Sequence, residues 1–170
     1  MKSSHGGSLR SSSILESRGE RRVGELVAAV ARYSRTGVRS RCEAAAFLRR
    51  RGASAGLAAQ VLAECRRCGL VDDRACAQLW ADHWARRGYA WSAIRLKLAD
   101  KGLDEEAIAR AGQRAGMASD DGARARQLVA SRARTGSGAR QRVRLARALA
   151  ARGYDAELIE QVLDESLGPV

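Results

Sequence analysis

Apolar residues recur along this chain at helical spacing and nowhere in the strict alternation of a half-buried strand. Leu26, Val27, Val30 and Tyr33 share one face, and Leu57, Val61, Leu62 and Cys65 follow at i, i+4, i+5 and i+8. Cys76, Leu79, Trp80, His83 and Trp84 form a stripe at i, i+3, i+4, i+7 and i+8 that predicts a core-facing helix. Trp91, Ile94 and Leu98 supply the next stripe, Ile108 faces in from the helix after it, and Leu145 and Leu149 do the same further on. The lone proline, Pro169, lies at the very end, so nothing interrupts these segments. The pattern predicts an all-α chain.

The helices come in sets. Gly52-Ala53-Ser54, Gly102-Leu103-Asp104 and Gly153-Tyr154-Asp155 are spaced 50 and 51 residues apart, each ending a basic stretch. A glycine can take the left-handed turn that ends a helix, and Ser or Asp can then cap the next. Leu48, Leu98 and Leu149 precede the glycines by four residues, and Val61, Ala111 and Val162 follow by nine. Val71-Asp72-Asp73 returns as Ser119-Asp120-Asp121, and Gly88 as Gly136, both 48 residues on. A period of this length predicts three tandem three-helix repeats, each covering its neighbour's apolar face in an elongated, curved array. The expected organisation is a Ser/Gly-rich disordered arm over 1–19, with the first helix starting near Glu20, then repeats over 20–69, 70–117 and 118–170. An arm so poor in apolar residues cannot order itself.

Charge narrows the partner. Lys plus Arg number 31 against 19 Asp plus Glu, a net charge of +12, and all the basic residues except Lys2, Lys97 and Lys101 are arginine. Arginine's planar fork suits phosphate and carboxylate, so the expected partner is anionic. Between Asp121 and Asp155 there is no acidic residue, while Arg124, Arg126, Arg132, Arg134, Arg140, Arg142, Arg144, Arg147 and Arg152 fill the interval. Arg140, Arg144 and Arg147 fall at i, i+4 and i+7, nearly opposite Leu145 and Leu149, as a continuous basic stripe. Such a stripe repels itself, and a partner's counter-charge would remove that cost.

Other chemistries find little purchase. Cys65 and Cys68 form a C-x-x-C pair that Cys42 and Cys76 would have to complete as a zinc set, but these residues sit singly or mid-helix, where free thiols act as small hydrophobes. His83 follows Asp82 directly, and helical neighbours diverge by about 100°. With His5 the only other histidine, no Ser-His-Asp or Cys-His arrangement exists. The phosphate-loop pattern is missing too. Asp72-Asp73 and Asp120-Asp121 read as helix caps rather than metal ligands. Trp80 and Trp84 read as core; Tyr89 and Trp91 flank a turn and are the more exposed candidates for stacking, though packing is the favoured reading for them as well. No catalytic, metal or cofactor residue is nominated. No run of 18 apolar residues exists and the N-terminus lacks an apolar signal core, which predicts cytoplasmic residence without a membrane partner.

One stretch resembles a known family. Gly69-Leu70-Val71-Asp72-Asp73-Arg74-Ala75-Cys76-Ala77-Gln78-Leu79-Trp80, then Arg86-Arg87-Gly88, Ile94-Arg95-Leu96-Lys97-Leu98 and Lys101-Gly102, is similar to the central repeat of the RecX regulatory proteins. Leu149 through Arg152-Gly153-Tyr154 and Ile159 resemble that family's closing module. Cys76 replaces the family's usual phenylalanine, and Tyr89-Ala90-Trp91 replaces a Gly-Pro turn. The resemblance implies a non-catalytic protein that binds the RecA recombinase filament, contacts single- or double-stranded DNA, and modulates, chiefly by inhibition, ATP hydrolysis and strand exchange. Taken with the charge pattern, it nominates Arg86, Arg87, Arg95, Lys97, Lys101, Arg140, Arg144 and Arg147 as partner- or DNA-binding residues of a monomer. The competing reading of the same charge is a stand-alone nucleic-acid-binding helical repeat or transcriptional regulator, which demands strong salt-sensitive DNA binding by itself.

Overall fold

The computed structural model describes residues 8–114, 120–132 and 138–168, with side chains from residue 18 onward. His5, Ser119, Arg134 and Gly136 lie outside the described residues. Within them the chain is all-helical, with three helices to each of three apolar cores. It divides into two units, residues 1–72 and 73–170.

The first unit contains α1 (Ser8–Tyr33), a short 3-10 turn (Ser34–Thr36), α2 (Arg41–Arg50) and α3 (Ala55–Arg67). Helix α1 starts well before Glu20: extending a nucleated helix costs little per residue, and no proline stands in the way. Leu26, Val30, Ala44, Leu48, Val61, Cys65 and Val71 form the core. Ser40, fully buried, opens α2 with a capping box: its Oγ accepts from the Glu43 N–H at 3.1 Å, and its own N–H donates to Glu43 Oε2 at 3.1 Å. Beside this core the Tyr33 and Phe47 rings stack at 4.5 Å, with the Arg39 guanidinium 4.4 Å from the Tyr33 centroid and Arg51 4.7 Å from that of Phe47. Cys65 is buried, which pushes its thiol up, while Cys68 is exposed and its Sγ lies 3.5 Å from Glu64 Oε1.

The second unit contains α4 (Asp73–Arg86), α5 (Trp91–Asp100), α6 (Glu105–Arg114), α7 (Asp121–Arg132), α8 (Ala139–Ala150) and α9 (Ala156–Leu167). Asp104 and Asp155 cap α6 and α9, accepting from the N–H groups of Ala107 and Leu158, each at 2.8 Å. One core gathers Cys76, Ala77, Ala81, Ile94, Leu98, Leu103, Ala107, Ile108 and Ala111. The buried face of α4 is therefore rotated from the stripe expected of it. Leu79 is 53% exposed, and Trp80 and Trp84 pack only against the edge of the core. Alanines at 77 and 81 let α4 lie close against α6, and that proximity leaves no room for indole rings between them.

The other core comprises Ala90, Ala125, Val129, Leu145, Leu149, Tyr154, Ile159, Val162 and Leu163. Ala90 belongs to the α4–α5 turn, so the central repeat helps build the core of the third. Polar bonds join the two repeats at the same place. The Ala90 N–H donates to the Arg152 carbonyl at 3.0 Å, Ser92 Oγ to the Gly153 carbonyl at 2.6 Å, and the Tyr154 hydroxyl to the Gly88 carbonyl at 3.1 Å. Gly153 has φ +84°, and a Cβ there would stand 2.6 Å from that of Ala93. Burial raises the Tyr154 pKa above 10.0.

Asp121 departs from the role expected of it. Its carboxylate accepts the Trp91 N–H at 2.9 and 3.1 Å through its two oxygens, capping α5 from the head of α7, and also pairs with Arg124. The position before α5 is Ala90, which has no side-chain acceptor, so the acid comes from the neighbouring repeat.

Candidate partner-binding surface

Helix α8 divides its arginines between two jobs. Gln141, Leu145 and Leu149 are buried in the third repeat. Arg142, on the flank, donates to Asp164 Oδ1 at 2.5 Å and to the Gly168 carbonyl at 3.2 Å, which pins α8 to α9. Arg126 of α7 does likewise, its Nε and Nη2 reaching Glu165 at 2.7 and 3.1 Å. Hydrogen bonds from Arg126, and then from Gln161, hold the Glu165 carboxyl below its usual range. Two acids of α9, Asp164 and Glu165, are thus engaged by arginines at the α7–α8–α9 seams.

Arg140, Arg144 and Arg147 point away from those seams and are exposed. Arg144 reaches the Arg132 carbonyl at 3.5 Å. Among the described residues no carboxylate pairs with Arg140 or Arg147. Together with Ala139 and Val143 the three line a shallow depression of about 480 Å³. Val143 is 49% exposed, an apolar residue set against a row of guanidinium groups. Sequence reasoning missed it, although i+3 from Arg140 places it only about 60° round the helix from the stripe.

The basic residues of the central repeat are arranged differently. Arg86 and Arg87 are exposed at the end of α4, and the Arg87 carbonyl accepts from Arg152 Nε at 3.3 Å. Arg95 is paired with Glu105 at 3.1 Å across the α5–α6 corner. Lys101 Nζ sits 3.8 Å from the Trp80 ring centroid, and Lys97 Nζ lies 4.8 Å from Tyr89 and 5.9 Å from Trp84. The Trp80 and Trp84 rings are themselves 5.2 Å apart. These aromatic faces hold the ammonium groups in place, each contact contributing about 0.5–1 kcal/mol at an exposed position. Trp91, a member of the apolar stripe of α5, packs its ring on α6, where a Cβ at Gly112 would come within 2.4 Å.

The nominated residues therefore form two sets on separate elements, one on α8 and one along α4 and α5. Among the described residues no group of His, Cys, Asp and Glu is arranged to hold a metal ion, and no helix is long and apolar enough to cross a membrane.

Comparison with known proteins gives this arrangement a context. The family profile "RecX, second three-helix domain" matches residues 72–111, from the start of α4 into α6. The chain is 35% identical over 133 residues to regulatory protein RecX of Thermobifida fusca (strain YX), spanning 76% of this chain and 71% of that protein. The chain belongs to the RecX family. Its fold is that of solved RecX structures. RecX from Lactobacillus salivarius superposes with a TM-score of 0.66 at 17% identity, covering 84% of this chain and 95% of that one. A second crystal structure of regulatory protein RecX superposes at 0.74 and 18% identity, covering 96% of this chain and 81% of the other. As a member of that family the chain is a regulatory protein.

Proposed function

We propose that this chain binds the RecA nucleoprotein filament and inhibits its ATPase and strand-exchange activities, without catalysing a reaction of its own. Family membership supports that reading. The observation that carries it is the exposed α8 stripe, Arg140, Arg144 and Arg147, in a repeat where Asp164 and Glu165 are already engaged by Arg142 and Arg126. The central-repeat residues Arg86, Arg87, Arg95, Lys97 and Lys101 form the second contact set, touching DNA or acidic protein surface. A monomer that engages neighbouring filament protomers through two sets adds modest contacts by multivalency. Binding weakens as salt rises, because each contact is charged and exposed. A bacterial recombination regulator of this kind acts in the cytoplasm.

The test is ATP hydrolysis by a preassembled RecA–single-stranded DNA filament. Substoichiometric to equimolar protein lowers the rate; no change at a several-fold molar excess over filament sites overturns the proposal. Strong salt-sensitive DNA binding without any effect on RecA would favour an independent nucleic-acid binder instead.

A further inference from the structure

Phosphate and carboxylate both satisfy arginine, but they rarely arrive with the same neighbours. A nucleic-acid backbone presents phosphates flanked by sugar, whereas an acidic protein helix can set an apolar side chain directly among its carboxylates. The α8 depression has such a side chain. Val143 is 49% exposed and shares the depression with Ala139, Arg140, Arg144 and Arg147. A β-branched residue on a solvated helix face is unfavourable by propensity and by hydration. The opposite side of the same helix has no such anomaly: Leu145 and Leu149 are buried, and Arg142 is bonded to α9.

We infer that this α8 face docks an acidic amphipathic helix of a protein partner, with one apolar side chain seated on Val143 and carboxylates at helical spacing paired with Arg140, Arg144 and Arg147. The charge complementarity is one-sided, since the depression has three guanidinium groups and no acid in its lining. Guanidinium groups at i, i+4 and i+7 match carboxylates one and two turns apart on an apposed helix, and arginine's fork can take each bidentately. The aliphatic stems of the same arginines widen the apolar floor around Val143. This deepens the proposed function by naming the chemistry of the protein contact, and it rests on that reading only for the partner's identity.

A peptide assay without recombinase separates the two. The probe is a fluorescently labelled synthetic helix of about four turns, rich in glutamate, with a single leucine on one face; a second peptide replaces that leucine with alanine, and labelled oligothymidylate is the third probe. Anisotropy titration of the full chain is expected to give the leucine peptide about five- to tenfold tighter binding than its alanine counterpart. Val143→Ser is expected to remove that difference while leaving oligothymidylate binding and the helical circular dichroism unchanged. Equal affinity for the two peptides overturns the inference, as does a loss of oligothymidylate binding in Val143→Ser. Concentration-dependent self-association of the chain that Val143→Ser abolishes also overturns it, by assigning the face to a second copy. Failure here with intact filament inhibition leaves RecA regulation standing, whereas peptide binding without inhibition retains the docking face and removes the recombinase.

Discussion

The central and third repeats are both basic and both built from three helices, yet they treat their charges differently. In the third repeat, α9 supplies acids to Arg126 and Arg142, and among the described residues no carboxylate pairs with Arg140 or Arg147 of the outer α8 stripe. In the central repeat, Arg95 is paired with Glu105, and Lys97 and Lys101 rest on aromatic rings. Net positive charge on a segment is therefore a poor guide to charge that a partner can use. A cation already resting on a ring must give up that contact to bind elsewhere, while an exposed arginine such as Arg140 or Arg147, with no described carboxylate beside it, gives up less.

This contrast is most directly broken by reversing charge on α8. Arg140→Glu, Arg144→Glu and Arg147→Glu together should weaken filament inhibition by roughly a hundredfold or more, at about 1 kcal/mol or more for each reversal, with helicity unchanged. An unchanged inhibition curve would remove α8 from the contact surface.

The comparison also depends on the two repeats being locked together, which Gly153 makes possible. Gly153→Ala places a methyl group 2.6 Å from the Ala93 Cβ at a φ of +84°, so we expect a loss of about 2 kcal/mol in urea unfolding. A neutral result would mean that the junction yields freely.

Tyr154 offers a gentler probe of the same seam. Its phenol is buried and donates to the Gly88 carbonyl, so its folded-state pKa lies above the unfolded value of about 10. The neutral form is the one the fold favours. Its contribution is complete below pH 10 and is lost as pH rises from there through the folded pKa. Tyr154→Phe should cost about 1 kcal/mol at neutral pH and flatten that alkaline decline, as measured by thermal unfolding across pH.

The smallest expected change comes from the ring-held lysines. Lys97→Ala with Lys101→Ala should reduce inhibition only about fivefold, or about 1 kcal/mol, and shift the tryptophan emission as Trp80 and Trp84 lose their cations. An effect as large as that of the α8 reversal would erase the distinction between the repeats.

Much of the fold was legible because caps and glycines are local. Ser54, Asp104 and Asp155 each accept from a backbone N–H three residues on, and Gly52, Gly102 and Gly153 all have positive φ. Asp121 was legible as a cap but not as the cap of α5, since its bond spans 30 residues. The α4 stripe misled for a similar reason. Periodicity identifies an apolar side, but the alanines at 77 and 81 and the proximity of α6 decide which part of that side is sealed. The α8 arginines were visible as a stripe, whereas the exposure of Val143 beside them depended on where α7 and α9 lie.

By itself, then, the sequence determined the helices, their corners, the threefold period and the sign of the surface, because each of these depends on residues within a few turns of one another. Tertiary structure alone decided which arginines are consumed by α9, which lysines lie on aromatic rings, and which aspartate serves the neighbouring repeat. Those outcomes depend on distances between residues tens of positions apart, and only packing sets such distances.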